Sequence, residues 1–265
     1  YLGVQLLQRT TRKVSLTATG AAFHDRCLAI LADLEEAELA ITQLQAEPRG
    51  ELRINAPLSF GELYVGPAIA DFMAQYPQLR VQLTLEDRFI DPLAEGFDMV
   101  VRIAELSESP NLVVHTIAPA PRVLCAAPSY LDQQGTPQHP GELRQHACLH
   151  YGYLASGSTW KLIGPNGEQR VPIQSLLCSN NSEVLRQAAV KGLGIVLLPT
   201  FILANDLEAG HLQPILTDYA APEIILSIIY PANRHLSTKV RLLREFLSDR
   251  FRELGLDQAY NLAAE

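Results

Sequence analysis

The first fifty residues carry two patterns of apolar positions. The segment LLQRTTRKVSLT at 6–17 has apolar runs on either side of a basic turn, which predicts a short β-hairpin. Thr17 then suits the N-cap of a helix that meets no proline before Pro48. The apolar residues of this helix recur at alternating steps of four and three: Phe23, Cys27, Ile30, Leu34, Ala37, Ile41 and Leu44. This heptad seam is typical of a helix that pairs with a second copy, and packing on the chain's own body is the alternative.

After Gly50 the pattern alternates between short apolar strands and amphipathic helices. It predicts strands at 51–56, 79–85, 97–103, 112–118, 121–127, 147–151, 195–199 and 223–230. It predicts helices at 61–76, 91–96, 129–134, 140–145, 182–192 and 236–253. A turn composition at 164–167 predicts a hairpin between 159–163 and 169–173. Repeated β–α–β units indicate an α/β fold with largely parallel strands covered by helices.

Charge is distributed unevenly along the chain. The net charge is −8, but residues 1–24 hold three basic side chains, Arg9, Arg12 and Lys13, and no acidic one. The other 241 residues hold 18 basic and 29 acidic side chains, which excludes a body that coats nucleic acid. The basic hairpin tip suits either a phosphate contact or a solvated loop.

Several protein classes are disfavoured by missing features. The four cysteines form no C-x-x-C pair, which predicts reduced thiols in a cytoplasmic protein. No apolar run approaches the roughly 18 residues of a membrane span, and the N-terminus does not read as a signal peptide. Nucleotide-binding and hydrolase motifs are absent, so we expect no cofactor and no enzyme activity.

One short segment has the residue types of a metal site. His146, Cys148 and His150 would share one face of a strand. Zinc would need a fourth ligand, so a partly buried strand with ordinary polar contacts is favoured and no metal is expected. Trp160 suits a pocket wall or the core equally.

Two strand-to-helix turns have the composition of a ligand cleft. They are Leu58-Ser59-Phe60-Gly61 and Ser179-Asn180-Asn181-Ser182. In α/β sheets ligands collect at the carboxyl ends of strands, where helix N-termini offer free N–H groups. Helix capping alone is the alternative for each polar residue. Arg88, Arg102 and Arg122, which follow or end strands, could supply countercharge to a small anion.

The N-terminal pattern resembles a known family. LGVQLLQRTTRKVSLTATG at 2–20 is similar to the wing of the winged helix-turn-helix of LysR-type transcriptional regulators, where it runs into a linker helix. Further similar segments follow in the expected order, and the resemblance covers residues 1 to about 252. They are GELRINAPLSFG, FMAQYPQLRVQLTLEDRFIDPLAEGFDMVVRI, VLCAAPSYLDQQGTP, HPGELRQHACLHY and AAVKGLGIVLLP.

The resemblance implies a domain division. A wing remnant would occupy 1–16, a dimerisation helix and hinge 17–50, and a C-terminal tail 256–265. Residues 51–255 would form a two-lobed, periplasmic-binding-protein-like effector domain made of two Rossmann-like subdomains. Lobe 1 would comprise about 51–126 plus 228–255, and lobe 2 about 127–227. The recognition helix of the family does not match any part of this chain.

The resemblance also implies functional residues. An effector would bind between the lobes, at positions matching Ser59, Phe60, Asp87, Arg88, Arg102, Ile103, Asn180, Asn181, Pro199 and Thr200. Arg9, Arg12 and Lys13 would contact the DNA backbone, and the heptad residues would form the dimer.

The expected function is therefore that of a bacterial, cytoplasmic, DNA-binding transcriptional regulator controlled by a small effector, an organic acid. Its partners would be promoter DNA, the effector, and further copies of itself in a homodimer or homotetramer. A solute-binding protein shares the two-lobed body but has no use for a basic hairpin and a heptad helix. An enzyme on the same fold would need a nucleophile, a base and an oxyanion site, which no spacing in the sequence assembles.

Overall fold

The described part of the N-terminal segment shows the two strands of the predicted hairpin and the beginning of the predicted helix. The structure, a computed structural model, describes residues 3–9, 14–24, 26–27, 30–31, 48–105, 110–152, 159–232 and 236–255. Strands β1 (Leu7–Arg9) and β2 (Val14–Leu16) pair antiparallel. Thr17 caps the helix that follows, because its Oγ1 accepts the Gly20 N–H at 2.9 Å. Arg12, Lys13, Leu34, Ala37, Ile41 and Leu44 lie outside the described residues.

The first sheet has five strands in the order β4-β3-β5-β14-β6. They are β3 (Gly50–Ala56), β4 (Leu79–Leu85), β5 (Met99–Ala104), β6 (Leu112–Pro119) and β14 (Ile225–Pro231). Strand β3 pairs in parallel with β4 and β5, whereas β14 runs antiparallel to β5 and β6. Alternate residues of these strands, such as Leu52 and Ile54, face a core shared with Phe72 and Leu243.

Two long helices cover this core. Helix α1 spans 58–75 as an α-helical turn (Leu58–Phe60), a π-helical turn (Gly61–Val65) and an α-helical stretch (Gly66–Gln75). Pro67 lacks an N–H and would crowd the carbonyl of Leu63, so the wider turn before it relieves that clash. Gly61 lies against Leu85, where a Cβ would overlap the leucine side chain. Helix α2 (Pro92–Glu95) is short, and α6 (Thr238–Arg252) completes this lobe.

The second sheet has the order β11-β8-β12-β7-β13. Its strands are β7 (Arg122–Ala126), β8 (Ala147–Tyr151), β11 (Gln174–Ser179), β12 (Ile195–Pro199) and β13 (Gln213–Pro214). Helices α3 (Pro128–Gln134), α4 (Ser182–Val190) and α5 (Thr200–Glu208) and a 3-10 helix (Pro140–Gln145) complete the second lobe. The predicted hairpin is also present, formed by β9 (Thr159–Gly164) and β10 (Gly167–Pro172).

Each sheet contains one reversed strand. Strand β7 runs antiparallel to β12 and β13, as β14 does to β5 and β6. The chain enters each sheet from the other lobe through these strands, without the helical crossover that would keep a strand parallel. The prediction of largely parallel strands therefore holds except where the chain changes lobes. Pairing places residues 122–126 in the second sheet and 225–227 in the first, which corrects the lobe limits of 126 and 228 by a few residues.

The segment with the residue types of a metal site contains two buried histidines, and each forms a hydrogen bond with an aromatic side chain. The Tyr130 hydroxyl accepts the Ala147 N–H at 3.0 Å and is also hydrogen-bonded to His146 Nδ1, at 3.1 Å. Trp160, a core residue, donates its Nε1–H to His150 Nδ1 at 3.2 Å. Within the described part of the chain, no group of His, Cys, Asp and Glu is placed to hold a metal. All four cysteines are free, and no described helix is long and apolar enough to cross a membrane.

These histidines predict acid sensitivity. Burial lowers the pKa of His146 and of His150, whereas an unfolded chain takes up protons near pH 6.5. The unfolded state therefore binds more protons as the pH falls below about 6.5, and the stability present above that pH is lost. We expect the melting temperature to drop by several degrees between about pH 7.5 and about pH 5.5.

A matched pair of variants isolates the contribution of His150. His150→Asn retains an acceptor near the Nδ1 position but does not titrate, so its melting temperature should fall less on acidification. His139→Asn changes an exposed histidine and should follow the wild-type profile. Identical acid profiles for His150→Asn and the wild type would contradict the assignment.

Candidate functional site

Asp87 lies at the N-terminus of helix α1. Its Oδ1 accepts the Leu58 N–H at 3.1 Å. Burial raises the pKa of Asp87, while the Leu58 hydrogen bond, the charge of Arg102 and a hydrogen bond with Tyr151 oppose that rise. Tyr151 ends strand β8 of the second sheet, whereas Asp87 follows β4 of the first. The Asp87–Tyr151 hydrogen bond therefore joins the two lobes.

The two arginines predicted near this point have different surroundings. Arg88 is exposed and pairs with Glu86 at 2.6 Å and with Glu95. Arg102 is largely buried, and its guanidinium donates to the carbonyl oxygens of Arg88 at 3.0 Å and Val101 at 3.1 Å. Burial lowers the pKa of Arg102, and the charge of Asp87 opposes this change. The charge of Arg102 thus offsets that of Asp87 inside the protein, whereas Arg88 forms ion pairs with carboxylates at the surface.

An aromatic cluster connects the lobes beside Ser59. Phe60 is 1% exposed, and its ring centroid lies 5.0 Å from Tyr64, 5.2 Å from Phe251 and 5.3 Å from Phe201. Phe201 belongs to α5 and packs against the cores of both lobes. The Phe60 side chain is therefore a packing element rather than an open cleft wall. Ser59 is half-buried, and Ile103 packs against the core of the first lobe.

Asn181 has a clear capping role in the second lobe. Its Oδ1 accepts the N–H groups of Glu183 at 2.9 Å and Val184 at 3.2 Å, which caps helix α4. Its own N–H donates to Ser179 Oγ at 3.1 Å. Asn180 is exposed at the same turn. These contacts do not use the side-chain NH2 of Asn181.

Thr200 begins helix α5 directly after Pro199. Its N–H donates to the Pro121 carbonyl at 2.9 Å, but its hydroxyl is buried without a hydrogen-bond partner. Pro199 is paired with Arg122 across β12 and β7. The Arg122 Nη2 donates to the Pro222 carbonyl at 2.8 Å, and its Nε is also buried without a partner. Burial lowers the pKa of Arg122, opposed by the charge of Glu105.

The structure thus brings some of the predicted site residues together and separates others. It brings Ser59, Asp87 and Arg102 together at the end of the first sheet, and Pro199 and Thr200 together at the end of the second. The Arg88 side chain instead forms an ion pair with Glu86. Sequence reasoning missed Tyr151 and Phe201. Tyr151 could have been found as a polar residue at a strand's carboxyl end, but α5, which carries Phe201, was not predicted at all.

A separate cavity of about 270 Å³ lies on the face of the first sheet that is turned away from α6. Its walls include Phe89, Ile90, Val100, Val114 and Ile229, and Arg102 lines its polar part. Arg102 therefore stands between this cavity and Asp87.

Sequence comparisons identify relatives along nearly the whole chain. The model of the LysR substrate binding domain matches residues 45–252. An uncharacterized HTH-type transcriptional regulator of Haemophilus influenzae is 39% identical over 240 residues, which are 91% of this chain and 83% of the relative. The HTH-type transcriptional activator TtdR of Escherichia coli (strain K12) is 33% identical, with 93% and 79% covered.

Solved structures agree with these relatives. CrgA of Neisseria meningitidis, a LysR-type transcriptional regulator, matches with a TM-score of 0.68 and 30% identity, covering 96% of this chain and 85% of that chain. The Vibrio cholerae virulence activator AphB matches with a TM-score of 0.67 and 28% identity, covering 93% and 84%. These regulators therefore match both the N-terminal segment and the two-lobed effector domain of this chain. The chain belongs to the LysR family of transcriptional regulators.

Proposed function

We propose that a small organic acid binds between the lobes and changes how the protein occupies its promoter DNA. The hydrogen bond from Tyr151 to Asp87 carries this proposal, because it links the lobes beside the first turn of α1. A ligand that competes for this contact changes the relative free energy of lobe arrangements. It thereby shifts their populations. The protein acts by binding and not by catalysis.

The proposed ligand contacts come from both lobes. Ser59, Phe60, Asp87, Arg88, Arg102 and Ile103 would contribute from the first, and Asn180, Asn181, Pro199 and Thr200 from the second. The half-buried position of Ser59 and the unpartnered hydroxyl of Thr200 support direct contacts. For Phe60 and Ile103 packing favours backbone contacts, since their side chains lie in or against the core.

The N-terminal segment would bind the DNA and would also pair with a second chain. Arg9, Arg12 and Lys13 would contact the DNA backbone, in a cytoplasmic homodimer or homotetramer. The linker seam would join the chains. Its support is the exposure of Phe23 (44%) and Ile30 (55%) on the single chain, since apolar helix residues are normally covered.

Calorimetry with a panel of small mono- and dicarboxylates tests the cleft. Ser59→Ala should weaken binding of any acid that binds by about three- to tenfold, because one hydrogen bond is lost. Ser129→Ala, at an exposed position on α3, should leave the affinity unchanged. Equal affinities for Ser59→Ala and the wild type would remove Ser59 from the site.

Asn181 requires a substitution that separates capping from ligand contact. Asn181→Ser retains an oxygen that can cap α4 but removes the side-chain NH2. We expect weaker acid binding with nearly unchanged melting temperature. A lower melting temperature with unchanged affinity would assign Asn181 to capping alone.

A further inference from the structure

One face of the first sheet has little cover. The other face packs against the long helices α1 and α6. On the less covered face the described residues provide the loop 86–98 with the short helix α2, and Val100 is buried there with Ile90 and Phe97. A helix of four residues is about 6 Å long, little more than the distance between two neighbouring strands, so α2 cannot cover a five-stranded sheet. The cavity of about 270 Å³ lies on this face.

The cavity is separate from the region between the lobes. Val100, Ile229 and Val114 are cross-strand neighbours on β5, β14 and β6, and all three line it. Leu112 at the start of β6 lines it as well, whereas the chain crosses to the second lobe after Pro119, at the other end of that strand. Among the described residues of the second lobe, none lines the cavity. A ligand held here would therefore contact the first lobe alone.

The size and the walls of the cavity suit a small apolar molecule. A protein cavity of about 150 Å³ with apolar walls holds benzene, so 270 Å³ has room for a substituted ring. Phe89 lines the cavity while it is 83% exposed, whereas the neighbouring Ile90 is 3% exposed. Phe89 therefore lies at the rim, where a ligand would remove part of its ring from water.

The charges at the polar end of the cavity favour an uncharged ligand. Arg102 lines this end, and the charges of Asp87 and Glu86 already offset its own. Asp91, whose carboxylate caps α2, also lines the cavity. A ligand carboxylate would be repelled by these acidic groups. A carbonyl or hydroxyl oxygen can instead accept a hydrogen bond from Arg102, since its two contacts with backbone carbonyls do not use all the donors of a guanidinium.

We propose that this cavity is a second small-molecule site of the protein. It takes an uncharged molecule the size of a substituted benzene ring, with its apolar part against β5, β14, β6 and Phe89 and a polar oxygen directed at Arg102. The site differs in place and in ligand class from the one proposed between the lobes, which takes an organic acid.

Methyl NMR of the whole protein, titrated with acetophenone, tests this site. Acetophenone is uncharged and carries a carbonyl oxygen, whereas benzoate has nearly the same shape and a negative charge. The methyl signals of Val100, Val114 and Ile229 should shift and saturate at millimolar acetophenone. Benzoate at constant ionic strength should bind at these methyl groups about tenfold more weakly or less, because its charge would leave water for an acidic surrounding. Equal or tighter binding of benzoate there would overturn the ligand class.

The same substitution at two neighbouring positions of β6 tests the location. Val114 is half-buried and lines the cavity, so the ring of Val114→Phe should fill it and abolish the saturable shift at Val100 and Ile229. Val113 is 38% exposed on the opposite face of the strand, so Val113→Phe should bind acetophenone as the wild type does. Unchanged binding to Val114→Phe would overturn the location.

Phe89→Ala tests the rim without disturbing the core. Because Phe89 is exposed, its loss should leave the melting temperature nearly unchanged and weaken acetophenone binding about three- to tenfold. Leu176→Ala, at an exposed position on β11 of the second lobe, should have no effect on binding. Equal affinities for Phe89→Ala and the wild type, or no saturable shift in the wild type, would overturn the proposal. Shifts of the same methyl signals on dilution of the protein alone would also overturn it, because they would assign this surface to a second chain.

Discussion

Ile30→Glu is expected to convert the dimer proposed here into monomers. The Ile30 side chain is 55% exposed on the single chain and occupies the same heptad seam as Phe23 and Cys27. In a paired helix this position faces its copy, so two glutamates would be buried without countercharge. One such charge costs about 3–5 kcal/mol, which weakens association by at least 100-fold. Sedimentation velocity at micromolar concentration measures the change directly.

The matched control places the same charge outside the seam. Ala32 lies two positions beyond Ile30, on the opposite side of the heptad pattern, so Ala32→Glu should remain dimeric. An unchanged sedimentation coefficient for Ile30→Glu would mean that the seam does not join chains. Packing of the helix on its own body, the alternative left open by the sequence, would then be correct.

Phe60→Ala is expected to lower the free energy of unfolding by about 3–5 kcal/mol, as removal of a buried aromatic ring does. The ring is 1% exposed and contacts Tyr64, Phe201 and Phe251. Since Phe201 is part of the second lobe, the cavity would open at the boundary between the lobes. Chemical denaturation followed by circular dichroism measures the loss.

The same helix offers a matched control for Phe60. Leu63 is exposed, so Leu63→Ala should change the free energy of unfolding by less than about 1 kcal/mol. A second effect distinguishes Phe60 from an ordinary core residue. If Phe60 holds the lobes together, small-angle scattering should show a larger radius of gyration for Phe60→Ala but not for Leu63→Ala. An equally small destabilisation by both variants would contradict the packing role.

Much of the fold could be predicted from local sequence patterns. Strand β12 is an unbroken apolar run, and the hairpin of β9 and β10 follows from its Gly-Pro-Asn-Gly turn. Helix α5 was missed although Pro199 marks the end of β12, because its apolar residues continue the apolar run of that strand. The sequence placed a strand before the Ser179–Ser182 turn, where β11 ends, but it gave no start for that strand.

The candidate site stays a prediction, and only part of its structural surroundings could be predicted from the sequence. The rule that ligands bind at the carboxyl ends of strands located Ser59 and the Asn180–Asn181 turn. It could not show that Arg88 pairs with Glu86 and Glu95, or that Arg102 turns inward toward Asp87. The ion-pair partners of each arginine depend on which charged residues become neighbours after folding. Strand order alone does not determine the direction in which a side chain points.

The sequence by itself determined the family, most of the order of elements, the basic N-terminal hairpin and the heptad pattern of the segment after it. These features depend on residues close together in the chain, where periodicity and turn chemistry act directly. Only the tertiary structure decided that Asp87 fills the N-terminus of α1, that Tyr151 and Phe201 connect the lobes, and that Thr200 lies beside Arg122. Each of these contacts joins residues about 30 or more positions apart, or depends on strand register, so it exists only once both sheets have formed.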